Sequence, residues 1–449
     1  MKKLTLIAAT SLFTTSLFAC GGSDLTDDDD TPPIDAPPPV DLVVRIPGGD
    51  LSGDITWEAE KTYILEGYVF LTSGTLTIEP GATVKGENGS ALTITKDAKL
   101  NAVGTATQPI VFTSNKTPAA PGDWGGIVML GKAPINVAGG INKVEGFPDS
   151  YGDRIVYGTP APAAADPAHD CGKISYARVE YAGFLLSTDN ELNGLTIAGC
   201  GSATKVDYVQ VHLGQDDGVE VFGGTVNLSH LVITQPDDDG LDWDLGWTGN
   251  AQFVVIQQKT GRGDKAIEAD SNRNDNELRP RSAPEIWNVT MIGGDGAAVD
   301  PQGGIHLRRG TAGKVSNAIV AYFTKFAVDL DGTSTVNQFG TGLTIKHTYF
   351  VKGTASTAIW PAGFDVGSNG MQNDGGFDEA AQIGGDATNH LGVDVQLTAP
   401  KDLAAPNWKP AAASPVLAGC GTPSAGLDTT ATFCGAIGAT DWTIGWTKY

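Results

Sequence analysis

The residues of this chain that could do chemistry are carboxylates, and they are crowded. The stretch "QPDDDGLDWDLGWTG" places Asp237, Asp238, Asp239, Asp242 and Asp244 among Leu241, Trp243 and Leu245. Just upstream, Asp216-Asp217 lines up with Asp238-Asp239, and that pair in turn with Asp264-Lys265. Carboxylates this dense have three uses. They hold a hard cation such as Ca²⁺, they work as acid and base on a glycosidic bond, or they form a solvated face whose repulsion water and salt screen.

Choosing among these depends on the elements that carry them. Glycine is abundant, at 59 residues, and short Val, Ile, Thr and Leu runs recur between turn residues, which is an all-β pattern. Val219-Glu220-Val221-Phe222, Leu241-Asp242-Trp243-Asp244, Ile267-Glu268-Ala269-Asp270, Ile305-His306-Leu307-Arg308 and Val328-Asp329-Leu330-Asp331 repeat at offsets of 22, 26, 38 and 23 residues. First and third positions are apolar, and second and fourth are polar except at Phe222, the alternation of strands with one face buried. A second strand precedes each: Val209-Gln210-Val211, Leu231-Val232-Ile233, Val254-Val255-Ile256, Val289-Thr290-Met291 and Ala318-Ile319-Val320. Two strands per repeat predict a solenoid, and its economical form is a parallel β-helix of roughly a dozen coils, a rod on the order of 55 Å at the usual inter-strand spacing. The 38-residue step contains "SNRNDNELRPRSAPE", read as a loop thrown out of one coil. Nearer the start, "LTIEPGATVKG" from Leu76 aligns with "LTITKDAKLNA" from Leu92. Leu241 and Trp243 then point inward, and Asp242 and Asp244 outward.

On the outer face the second positions read Glu220, Asp242, Glu268, His306 and Asp329, and the fourth positions Phe222, Asp244, Asp270, Arg308 and Asp331. A Ca²⁺ reading takes Asp216, Asp217, Glu220, Asp238, Asp239 and Asp242 as oxygen ligands from adjacent turns, without EF-hand spacing. A catalytic reading takes Asp216, Asp217, His306 and Arg308, with Lys265 as a further candidate base. Asp216-Asp217 is similar to the paired aspartates of polygalacturonase-like hydrolases, but His306 stands in Gly-Ile-His-Leu instead of Gly-His-Gly, and Arg308 lacks a Lys two residues on. Arg262-Gly263-Asp264 spells a common adhesive tripeptide, while Trp57, Trp124, Trp243, Trp247, Trp442 and Trp446 are core, cap or sugar-stacking residues. His169, His230 and His347 form no recognisable ligand cluster.

The ends and the composition bound the setting. Met1-Lys2-Lys3, an apolar run to Phe18 and then Ala19-Cys20 have the layout of a secretory signal peptide, 1–19. Ala19-Cys20 resembles the lipobox of bacterial lipoproteins, which implies that Cys20 becomes the acylated first residue. From there to about residue 45 the chain is acidic and proline-rich, read as a disordered tether, with the β-helix body and C-terminal cap over 46–449. A formal net charge of -23 argues against nucleic acid as a partner. Four further cysteines in an exported chain make two disulfides the expectation, with Cys171–Cys200 and Cys420–Cys434 the simplest of three connectivities.

"TYILEGYVFLTSGTLTIEPGATVKG", "GDWGGIVMLGKAPIN", "ISYARVEYAG", "DDGVEVFGG" and the closing "GAIGATDWTIGWTKY" resemble a widespread family of bacterial surface proteins and lipoproteins with a right-handed parallel β-helix body. The resemblance runs from about residue 50 to the C-terminus. It implies architecture and an extracytoplasmic, lipid-anchored location at the outer membrane or cell surface, and it transfers no catalytic residue. The functional expectation is a binding or adhesion module for polysaccharide or another surface ligand. Its alternatives are a polysaccharide lyase or glycoside hydrolase, and a purely structural surface rod.

Overall fold

A computed structural model describes residues 42–187, 190–296, 302–364 and 374–449. The expected signal peptide, Cys20 and the tether as far as Asp41 lie outside the described residues.

The body is a parallel β-helix. Val219–Phe222, Leu241–Asp244, Lys265–Ala269, Gly303–Leu307 and Phe326–Leu330 stack in one parallel ladder, with Val219 beside Leu241, Leu241 beside Ile267, Ile267 beside Ile305 and Ile305 beside Val328. The 38-residue step is absorbed without loss of register, since residues 271–284 leave the ladder and contain no strand. Inward-pointing Val219, Val221, Leu241, Trp243, Ile267 and Ile305 belong to one continuous apolar lumen, each at most 1% exposed. Burying such side chains contributes about 1.5–3 kcal/mol each, so the alternation alone fixes which face turns inward.

Where the sequence predicts two strands per repeat, the coils have three faces. Strands such as Lys205–His212, Asn227–Thr234 and Asn250–Gln257 each contain one residue with a left-handed backbone that breaks the pairing and turns a corner. These corner residues are Tyr176, Tyr208, His230, Phe253, Asn288, Asn317 and His347, with φ between 45° and 61°. Bulky residues adopt that region only with compensation. Here it comes from stacking between coils, with ring centroids 4.4 Å apart for Tyr176–Tyr208, 4.2 Å for Tyr208–His230 and 4.8 Å for His230–Phe253. The third face also corrects the alignment of Leu76 with Leu92. Leu76 lies beside Leu100, Ile78 beside Ala102 and Val84 beside Phe112, whereas Leu92 lies beside Val69. The two segments share a pattern because each faces the lumen, but they sit on different faces.

Disulfides join Cys171 to Cys200 and Cys420 to Cys434. Of the weighed tryptophans, Trp57, Trp124, Trp243, Trp247 and Trp446 are buried in apolar clusters, and Trp442 is only partly covered.

After the rung formed by His390–Leu391 on Tyr349–Phe350, the chain leaves the ladder and runs back along the corner. Side chains of earlier coils hold it by its main chain. Gln257 donates to the carbonyls of Pro400 and Asp402, Asn317 to Gly421, Asn288 to Ala431 and Phe433, Arg178 to Trp446, and Gln210 to Lys448. Under it lies a second apolar cluster that includes Val232, Val255, Ile319, Trp408 and Trp446.

Candidate functional site

The outward positions of the ladder lie along a groove and are buried or half-buried. Two excursions from the coils build it. Residues 131–158 fold back over the first half of the face, where Val144, Phe147, Ile155 and Tyr157 cover outward-pointing Phe70, Val128, Leu130 and Phe222. Phe222, the exception in the polar pattern, is apolar because this excursion covers it. A short hairpin, Leu185–Ser187 with Asn190–Glu191, stands beside it, and the amide of Gly146 donates to Asn190 Oδ1 at 2.6 Å, tying the two together.

Of the three readings, a fully solvated acidic face does not fit the ladder, although Asp216, Asp242 and Asp244 are half-buried and Asp238 is exposed. Asp217, Glu220, Asp239, Glu268 and Asp270 are 6%, 7%, 3%, 7% and 4% exposed. The predicted order holds along the ladder, with Glu220 beside Asp242, Asp242 beside Glu268, Glu268 beside His306 and His306 beside Asp329. Charge divides the groove into two ends.

At the downstream end the carboxylates are paired. Lys265 Nζ lies 2.6 Å from Glu268 and 3.7 Å from Asp239 and also bonds Asp264. Arg308 reaches Asp270 at 2.7 Å and also pairs with Glu268, Arg309 reaches Asp270 at 2.5 Å, and His306 Nε2 meets Asp331 at 2.6 Å. Desolvation pushes Glu268 up, yet His306, 3.6 Å away, and the charges of Lys265 and Arg308 hold it below the usual carboxylate range. Desolvation likewise opposes the charged form of His306, and Asp331 and Glu268 outweigh it, so this His is raised.

At the upstream end the carboxylates face one another. Single oxygens of Asp216, Asp217 and Asp238 all lie within 4.8 Å of each other, as do those of Asp217, Glu220 and Asp242, and those of Asp239, Asp242 and Glu268. Burial first, and then neighbouring carboxylates, raise the six predicted ligands, with Lys265 opposing the rise at Asp238 and Asp239. Asp216 rises to about 8 through desolvation and the charges of Asp238, Glu191 and Glu145, and Asp238 to about 6. Asp217, Glu220, Asp239 and Asp242 are pushed well above the carboxylate range, by desolvation first. Some oxygens have structural duties. Asp217 accepts the amide of Asp239 at 2.9 Å, Asp239 that of Lys265 at 2.6 Å, and Glu220 the side-chain amide of Asn193 at 2.5 Å. Asp242 Oδ1 is buried and accepts no hydrogen bond.

Sequence reading missed two members, Glu145 and Glu191. Glu145 is carried in by the 131–158 excursion, hydrogen-bonds Glu220, and is raised to about 7 by burial and by Glu191. The proposed catalytic set is not gathered. His306 sits three rungs from Glu220, roughly 14 Å along the ladder. Both His306 and Arg308 are engaged in the ion pairs above. The adhesive tripeptide is likewise engaged, with Arg262 on Asp237 and Asp264 on Lys265.

The donors at the upstream end are hard oxygens from adjacent rungs, carried on a rigid ladder, with one buried oxygen unsatisfied. That set fits a divalent cation of the Ca²⁺ kind.

A parallel β-helix with an acidic groove along one ladder is the class that fold and site define. The chain belongs to the pectate-lyase-like β-helix domain family, whose model matches residues 49–387. That membership relates it to polysaccharide chemistry. No curated protein and no solved structure matches the chain.

Proposed function

We propose that the groove is a cation-dependent polysaccharide-binding site of a lipid-anchored surface protein. The observation that supports this best is the charge division. The cationic side chains of the face collect around Glu268 and Asp270, with Lys265 also near Asp239, while Asp216, Asp217, Glu220, Asp238 and Asp242 crowd one another, Asp217 and Glu220 buried, Asp216 and Asp242 half-buried and Asp238 exposed. Buried like charges must protonate or take up a counter-ion. Ca²⁺ held by one of the triads, Asp216, Asp217 and Asp238 or Asp217, Glu220 and Asp242, would offset part of this charge and leave coordination positions for hydroxyl or carboxylate oxygens of a uronate-containing chain lying along the rungs.

Turnover is the second reading, and Glu145 favours it. A carboxyl held at about 7 on the wall of the groove, bonded to Glu220, exchanges protons in the range where acid and base catalysis works. One experiment addresses both. A glycan array probed with and without Ca²⁺ should show uronate-rich ligands retained only with the ion, and Asp239→Asn with Asp242→Asn should lose at least tenfold in affinity. Binding that ignores both the ion and the substitutions would sink the proposal. Product release from the retained glycans that disappears in Glu145→Gln would convert binding into catalysis.

Anchoring is proposed on the Ala19-Cys20 junction. Cys20→Ser should move the protein from the membrane fraction to the soluble one and abolish palmitate labelling, and unchanged labelling would defeat the assignment.

A further inference from the structure

On another face, where the C-terminal segment crosses the coil corner, lies a cavity of about 620 Å³, within the roughly 300–1,000 Å³ of small-molecule sites. Its origin is legible in the chain. On the returning segment, Ala436, Gly438, Ala439 and Thr440 are too small to fill the space that Leu427, Phe433 and Trp442 border. At Gly438 a Cβ would meet the Phe433 ring at 2.9 Å, so a larger residue would force that ring to move.

Three aromatic rings border the cavity in fixed positions. Trp442 Nε1 donates to the carbonyl of Ala436 at 2.8 Å. Phe253 stacks on His230 at 4.8 Å and lies 6.3 Å from Phe433. Gln252 pins the opposite rim, giving and taking hydrogen bonds with the main chain of Asp428 at 3.1 and 2.8 Å. Walls set in advance lose little entropy on binding.

The charges at the cavity are already used or balanced. Asp207 bonds His230 at 2.8 Å, Asp428 Oδ1 accepts from Thr430 at 2.9 and 2.6 Å, and exposed Lys205 offsets them at the rim. Beside the rings the remaining polar lining is neutral: Ser202, Asn227, Ser229 and Thr440. An organic cation would find no spare carboxylate cluster and an anion would meet two aspartates. Apolar faces with neutral donors and acceptors suit an uncharged ring that carries hydroxyls.

We propose that this cavity is a second, cation-independent site that binds a short neutral oligosaccharide. It stands apart from the groove reading and lies on a different face of the coils.

The test is a calorimetric and saturation-transfer NMR titration of the full chain, in a chelator, with neutral gluco-, xylo- and manno-oligosaccharides. At least one should bind saturably. Ser229→Trp, which fills the space without removing a packed side chain, should weaken it tenfold or more, and Trp442→Ala should do the same. Asp239→Asn with Asp242→Asn should bind as the parent does, so failure of the groove reading leaves this result intact. Thermal melts establish that each variant is folded. No saturable binding in the chelator, undiminished affinity in folded Ser229→Trp, or loss of binding in the groove variant would each overturn the proposal.

Discussion

In a chelator, the unfolding temperature falls as pH rises from about 4.5 to 8, and millimolar CaCl₂ removes the fall. The groove carboxyls are the cause. Asp216 moves from an ordinary 3.8 to about 8, Asp238 from 3.8 to about 6, Asp244 from 3.8 to about 7 and Glu145 from 4.5 to about 7 in the fold. When the folded value is the higher one, the unfolded chain releases its proton first. Stability is then complete below the unfolded values near 4 and is lost as pH climbs through the folded ones. Each such carboxyl removes up to about 1.4 kcal/mol per pH unit while only the unfolded form is ionised. A cation that binds the ionised groove reverses the slope, because protons and metal compete for the same oxygens. At a hundredfold excess over its dissociation constant it would add about 2.7 kcal/mol. Asp239→Asn with Asp242→Asn should flatten both the pH slope and the Ca²⁺ response. The comparison is a set of melts in CaCl₂ and in NaCl at matched ionic strength. Equal melting temperatures at pH 8 would retire the cation site.

Arg308→Met should be far more damaging than a surface change. Arg308 pairs with Glu268 and Asp270, which are 7% and 4% exposed, and its removal leaves both carboxylates buried with fewer counter-charges. Breaking one side of a buried ion pair typically costs about 3–5 kcal/mol, and that is the loss expected from urea unfolding. Arg308→Lys should recover only part, since one ammonium cannot reproduce the fork that reaches both partners. Adding Glu268→Gln to Arg308→Met should restore part of it, since one of the two under-compensated carboxylates is then neutral while Lys265 keeps Asp264 and Asp239. A loss under about 1 kcal/mol for the single variant would mean that the network is solvated.

Much of the fold is written in the alternation. Leu241-Asp242-Trp243-Asp244 and its counterparts give strand, face and register together, because shifting a strand by one residue would turn its apolar set into the groove. The same property misled the match of Leu76 with Leu92, since lumen-facing strands on different faces carry the same period of two. The corner escaped notice because Tyr208, His230 and Phe253 take up a backbone that glycine or asparagine usually marks; only Asn288 and Asn317 bear the usual sign. In the groove, the six acids on ladder and turn positions were readable from their spacing. Glu145 and Glu191 were not, because they arrive on excursions whose return path leaves no periodic trace. Burial was the larger miss, for the cover over Glu220 and Phe222 is built from residues 131–158, remote in sequence.

A stack of coils in which each touches only its neighbours can fray from an end, one rung at a time. The returning C-terminal segment changes that. By fastening to Asn317, Asn288, Gln257, Gln210 and Arg178 it ties itself to coils laid down 104 to 268 residues earlier. Rungs that would otherwise melt in sequence share one fastening, so their loss is expected to become a single cooperative event, and the segment from Pro400 to Lys448 couples the end of the chain to the middle of the molecule.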